Sequence, residues 1–172
     1  MFCIAITGEP GSGKSTLALR LVELLKSRGF KVCGVTCPDV RVGGKRIGFK
    51  MVDVRTGEER WLARVEGCNG PRVGRYRVCE EVAELVERAF PEDCDAYVID
   101  EIGPMELKLE KVRTKFLEVL NKNKPLIVVH HLKLRDGNFL TVMKRCKRIV
   151  VTREKREEAF REAMRYLEEK LQ

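Results

Sequence analysis

One octapeptide limits what this chain can become. Gly8-Glu9-Pro10-Gly11-Ser12-Gly13-Lys14-Ser15 matches G-x-x-x-x-G-K-[ST] without a gap. An apolar run, Phe2 to Thr7, precedes it, and Ser15 to Ser27 follows with apolar residues at Leu17, Leu21, Leu24 and Leu25. The run reads as a buried strand and the later spacing as the apolar stripe of a helix. A strand that turns through glycines into a helix leaves successive backbone N–H groups pointing inward beside the positive end of the helix. That cradle takes an anion, and the lysine and hydroxyl of the pattern make it a nucleoside triphosphate with Mg²⁺. Lys14 is expected to reach the β- and γ-phosphates, and Ser15 to give its hydroxyl to Mg²⁺. The contacts are expected from Gly8 through Ser15 and on to Thr16.

Such a loop needs an acidic partner at the end of a neighbouring strand. Tyr97-Val98-Ile99-Asp100-Glu101 has that form, an apolar run stopped by two acids. Asp100 is expected at the metal and Glu101 at the γ-phosphate side, accepting a proton from an attacking water or holding that water in line. Being adjacent on a strand, the two are expected to point in different directions. His130 and His131, the only histidines, end another apolar run, Leu126 to Val129. His131 is the third candidate, facing the γ-phosphate, with His130 as its competitor. Arg41, Arg46, Arg60, Arg64, Arg72, Arg75, Arg153 and Arg156 are each candidates to neutralise transition-state charge, and the sequence does not choose among them.

The rest of the chain alternates strands with helices. Lys31 to Cys37 reads as a strand, Glu80 to Phe90 as a helix, Glu106 to Asn121 as an amphipathic helix, Asp136 to Arg145 as a helix, Arg148 to Val151 as a strand and Glu154 to Leu171 as a helix. Between Val40 and Val65 the pattern alternates instead, with turn signals at Gly43-Gly44 and Arg55-Thr56-Gly57-Glu58, so two or three antiparallel strands are expected. Gly67 to Gly74 reads as a loop. The result is an α/β fold with a mostly parallel sheet and an antiparallel hairpin insert at about 40–66, within a single P-loop domain over 1–172.

Composition sets the environment. No stretch approaches the roughly 18 apolar residues of a membrane helix, and a cytoplasmic protein without membrane partners is expected. Charged residues are 35% of the chain and the sole glutamine is Gln172, a balance that fits a hyperthermophile surface. Seven cysteines carry no zinc spacing; most read as small buried apolar residues, while a thermophile setting leaves disulfides open. The net charge of +8 raises the question of a nucleic-acid partner. Runs such as Glu154-Lys155-Arg156-Glu157-Glu158 alternate sign, however, as solvated helix faces do, and aromatics are only 6%, so that partner is not favoured. Nothing in the pattern prescribes an oligomeric state.

Four segments resemble a known family, the small nucleoside-triphosphatases of thermophilic prokaryotes whose animal members are called cancer-related nucleoside-triphosphatase. They are Gly8 to Thr16, Val42-Gly43-Gly44-Lys45-Arg46-Ile47-Gly48-Phe49, Val73-Gly74-Arg75-Tyr76-Arg77-Val78 and Asp100-Glu101-Ile102-Gly103-Pro104-Met105-Glu106-Leu107. The resemblance implies a three-layer, RecA-like or AAA-like P-loop core. It implies Mg²⁺-dependent hydrolysis of ATP, GTP, CTP and UTP to the diphosphate and phosphate, and a nucleotide-binding stretch around Asp100, Glu101, Ile102 and Gly103. Pro104 stands where many members have lysine, and Lys155 where asparagine is frequent. The same scaffold also carries nucleotide and small-molecule kinases, which need a mobile basic lid, and the +8 charge admits a nucleotide-dependent RNA-binding switch.

Overall fold

The computed structural model describes residues 2–172. The first apolar run forms β1 (Cys3–Gly8), buried along its whole length. Its side chains alternate between two faces, as a pleated strand requires. Ile4 and Ile6 enter one core and Cys3 and Ala5 another. Helix α1 (Lys14–Ser27) buries Leu17, Leu21 and Leu25 of the predicted stripe, with Leu24 half-buried. There follow β2 (Val32–Thr36), β3 (Asp39–Val42), β4 (Lys45–Asp53), β5 (Glu59–Arg64), β6 (Arg72–Val73), β7 (Tyr76–Val78) and α2 (Val82–Arg88). The chain ends with β8 (Ala96–Ile102), α3 (Glu110–Leu120), β9 (Leu126–His130), α4 (Gly137–Met143), β10 (Lys147–Val151) and α5 (Arg156–Lys170).

All strands join one sheet in the order β10-β1-β9-β8-β2-β4-β5-β7-β6, with β3 paired to β4. From β10 to β2 every pairing is parallel; from β2 outward every pairing is antiparallel. Helices cover both faces. Leu17, Leu21 and Leu25 of α1, with Phe160, Ala163 and Leu167 of α5, pack on Ile4, Ile6, Val98 and Val129. On the other face, Val82 and Leu85 of α2, Val112 and Phe116 of α3 and Phe139 of α4 pack with Ala5, Val35, Ile99 and Val128. The parallel half is buried on both sides, hence its unbroken apolar runs. These three layers are the expected α/β arrangement, with three antiparallel strands, β3 to β5, in the predicted insert.

Four readings are corrected. The loop expected over 67–74 holds β6, and with β7 it extends the sheet by a hairpin turned at Gly74, where φ is 58°. Strands of two and three residues are too short to leave a period in the sequence. The helix expected from Glu106 begins only at Glu110; Glu106–Lys108 is a single 3-10 turn, because the Glu106 side chain folds inward onto the Gly103 N–H. Strand β8 runs on through Asp100 and Glu101 to Ile102. Finally, most cysteines are not simple apolar filler: Cys3–Cys146, Cys33–Cys94 and Cys68–Cys79 are disulfides, leaving Cys37 as the free thiol. The first two close loops across 143 and 61 residues, the kind of cross-link that most restricts an unfolded chain. Among the described residues, no helix is long and apolar enough to cross a membrane.

Candidate nucleotide site

The phosphate loop leaves β1 at the carboxyl edge of the parallel strands, where open α/β sheets place their ligands. A β-carbon on Gly8 would lie 2.2 Å from the Val151 carbonyl oxygen of β10, so no side chain fits there. Gly13 caps α1 with φ at 108°, and its carbonyl accepts the Leu17 N–H at 3.0 Å, the first turn of the helix. The Ser12 hydroxyl is buried and has no hydrogen-bond partner among the described residues. A buried polar group without a partner costs free energy, so this orphan inside the loop awaits a ligand atom or water.

A cleft of about 320 Å³ brings together Pro10, Gly11, Lys14 and Ser15 of the loop, Asp100 and Glu101 of β8, and His131. Lys14 Nζ lies 3.7 Å from Glu101 Oε2. Ser15 and Asp100 line the cleft together, and the Ser15 hydroxyl draws the Asp100 carboxyl toward lower pKa. The two acids do not point apart as strand alternation predicts. Pairing between β8 and β9 slips between Asp100 and Ile102, and such a bulge re-aims side chains. Both carboxylates therefore line one cleft, Asp100 beside Ser15 and Glu101 beside Lys14. Burial pushes the Asp100 carboxyl up to about 6, and neighbouring Glu101 adds to the rise against the opposing pull of Ser15 and Lys14.

The two histidines separate clearly. His130 is buried, its carbonyl accepting the Thr7 hydroxyl at 2.9 Å, and burial lowers its imidazole from the ordinary value. His131 lines the cleft. Its Nδ1 accepts the Lys133 N–H at 3.2 Å, which places the neutral ring's proton on Nε2. Other expected residues lie outside the cleft. Glu9 and Thr16 are exposed, Ile102 is fully buried in the core, and the Gly103 N–H is given to Glu106 Oε1 at 3.1 Å.

Two groups that sequence reasoning missed line the same cleft, Glu106 and Cys37. Glu106 is 5% exposed, and its carboxyl accepts the Gly103 N–H at 3.1 Å. Burial, and then the nearby Glu101 carboxylate, raise Glu106 to about 8. Burial likewise pushes the Cys37 thiol up, and the Glu106 and Asp100 carboxyls push in the same direction. The available signal was the glutamate three residues after Gly103 in an otherwise apolar turn. The sign of the linkage follows from the shift. Between about pH 4.5 and 8 the folded state keeps the Glu106 proton and the unfolded state releases it, so stability falls as pH rises. The slope approaches ~1.4 kcal/mol per pH unit. Glu106→Gln keeps an oxygen for Gly103 and cannot ionise. Its melting temperature should gain on wild type steadily from pH 5 to pH 8; a constant difference over that range would show that Glu106 does not hold a proton.

The family described as NTPase matches residues 3–164, nearly the whole of this frame. The chain belongs to that NTPase family. Within it, the nucleoside-triphosphatase THEP1 of Ignicoccus hospitalis is 57% identical over 167 residues, covering 97% of each chain. The fold is that of solved P-loop members: THEP1 from the hyperthermophile Aquifex aeolicus superposes with a TM-score of 0.72 at 25% identity, over 97% of this chain and 99% of that one. A human cancer-related nucleoside triphosphatase, solved in solution, superposes with a TM-score of 0.76 at 30% identity, over 97% of both chains.

Proposed function

We propose that this protein hydrolyses nucleoside 5′-triphosphates to the diphosphate and phosphate with Mg²⁺, accepting ATP, GTP, CTP and UTP. The observation that carries the reading is the convergence of Lys14, Ser15, Asp100 and Glu101 on one cleft. The orphaned Ser12 hydroxyl marks the loop as a place for phosphate oxygens. Ser15 and Asp100 present two hard oxygen donors, which suits Mg²⁺, an ion usually held by one or two protein groups plus substrate phosphates. When bound, the ion neutralises charge on the β- and γ-oxygens.

The remaining chemistry belongs to side chains. Loop N–H groups and Lys14 hold the β- and γ-phosphates. Glu101 orients a water and takes its proton as the water oxygen bonds to the γ-phosphorus; the bridging oxygen departs with the diphosphate. His131 presents its Nε2–H to the same side, a donor for an oxygen of the γ-phosphate. Hydrolysis is favoured over transfer to an acceptor by the placement of the basic segment. Its strand β4 is paired to β2, β3 and β5, so it is part of the sheet rather than a hinged lid. Phosphate release from each of the four triphosphates, with and without Mg²⁺ and with no acceptor added, tests the reading; release only on adding an acceptor would make the protein a kinase.

Broad base use follows from the same geometry, because the convergent groups address phosphates and metal, which all four substrates share. In competition assays ATP, GTP, CTP and UTP should displace one another with inhibition constants within about tenfold, or ~1.4 kcal/mol. A preference of several thousandfold for one base would point to a dedicated ATPase or GTPase.

A further inference from the structure

We propose that Arg46 is the arginine that neutralises transition-state charge on the transferred phosphoryl group, supplied in cis by the β3–β4 hairpin. The assignment rests on the triphosphate reading above and names a residue for it. Of the eight arginines that the sequence puts forward, Arg46 lines the cleft that holds Lys14, Asp100 and Glu101.

Topology explains how a residue so far from the loop arrives there. Thr36, at the end of β2, pairs with Asp100 on one side and with Val52 on the other. Strand β4 runs antiparallel to β2, so its earlier residues extend past the carboxyl edge of the parallel strands, where the phosphate loop lies. The turn at Gly43 and Gly44 returns the chain so that Arg46 sits on that overhang. There the side chain is held but not used up. Arg46 Nε donates to Asp39 Oδ2 at 3.2 Å, and the guanidinium lies 5.3 Å from the Phe49 ring centroid. The Arg46 carbonyl accepts Arg75 Nη2 at 2.8 Å, and Phe49 packs edge-on against Tyr76 at 5.3 Å. Among the described residues, no hydrogen bond engages either Nη group of Arg46. A planar fork with one edge anchored and the other free matches two oxygens of a phosphoryl group.

Five of the other arginines have different situations. Arg41 binds the same Asp39 oxygen at 3.0 Å and the Gly44 carbonyl, and is not among the residues lining the cleft. Arg60 is paired with Glu58 and Glu84, and Arg64 is stacked on Trp61. Arg153 and Arg156, after β10, lie against Gly11 and Gly13 of the loop but are not among the residues lining the cleft.

The test compares Arg46→Ala with Arg41→Ala, which removes a cation bound to the same carboxylate. Single-turnover hydrolysis of Mg²⁺–ATP should fall about 10²-fold in Arg46→Ala, the scale for losing one transition-state donor, with ADP affinity unchanged. The variant should also lose the ability to trap Mg²⁺–ADP with aluminium fluoride, a mimic of the phosphoryl group in flight, and guanidinium ion should restore part of the rate. Arg41→Ala should hydrolyse and trap like wild type. Arg46→Lys keeps the charge without the fork; if the alanine variant melts early, the lysine variant should show the same slow hydrolysis at wild-type ADP affinity. Normal hydrolysis or normal trapping in the Arg46 variants would overturn the assignment. Failure of the underlying reading has another signature, namely no phosphate release from the wild-type protein.

Discussion

Lys14→Ala should lower steady-state phosphate release at least ~100-fold and weaken triphosphate binding. Lys14 is the one side-chain cation within the phosphate loop, it opens α1, and it faces Glu101 at 3.7 Å. Its side chain is only 12% exposed, so the charge acts where water screens it poorly. The ion pair with Glu101 has two consequences. It holds the ammonium over the loop, and on the proposed mechanism the ammonium shifts its contact toward the β- and γ-oxygens when substrate binds, leaving Glu101 to the water. On that proposal alanine removes the counter-charge of the substrate and also the ion-pair partner of Glu101. Hydrolysis and the binding of a fluorescent triphosphate should be measured together, with a melting curve for each sample. A folded Lys14→Ala protein that turns over like wild type would take the loop out of the chemistry.

The parts of the site that were legible in the sequence are those set by local rules. Glycines at fixed offsets, an apolar run before them and a 3.6-residue stripe after them define β1, the loop and α1 from neighbouring residues alone. Asp100 and Glu101 stood out because two charges interrupt Tyr97-Val98-Ile99, and His131 because an apolar run stops there. What depends on pairing between distant strands was not legible. Cys37 and Glu106 line one cleft because β2 and β8 are neighbours and a 3-10 turn folds Glu106 inward. Arg46 reaches the cleft only because β4 overhangs the end of β2. The shared orientation of Asp100 and Glu101 comes from a slipped register that no single strand announces. The disulfides join residues up to 143 apart, and their partners cannot be read from spacing.

Glu101→Gln should separate binding from chemistry. Glutamine keeps the shape of Glu101 and removes the proton acceptor. Triphosphate and Mg²⁺ should still bind with little loss, while single-turnover hydrolysis slows ~10²–10⁴-fold, the usual contribution of a positioned acid or base. The expectation rests on the proposed division of labour: Asp100 lines the cleft with Ser15, the hydroxyl proposed for the metal, while Glu101 lies 3.7 Å from Lys14. Asp100→Asn should accordingly raise the Mg²⁺ concentration needed for activity instead of abolishing turnover at saturating metal. Acidity adds an independent check on Asp100. Its carboxyl sits at about 6, so a proton competes with the cation below that pH. The half-saturating Mg²⁺ concentration of the wild type should rise by up to about tenfold for each unit below pH 6, and Asp100→Asn should lose that dependence. A fluorescent triphosphate titration run beside single-turnover hydrolysis, at several Mg²⁺ concentrations, reads all of these. Normal hydrolysis by Glu101→Gln would move the base elsewhere in the cleft, with His131 next. Loss of triphosphate binding and of the Mg²⁺ response in Glu101→Gln, with both kept in Asp100→Asn, would mean that the second acid rather than the first meets the metal.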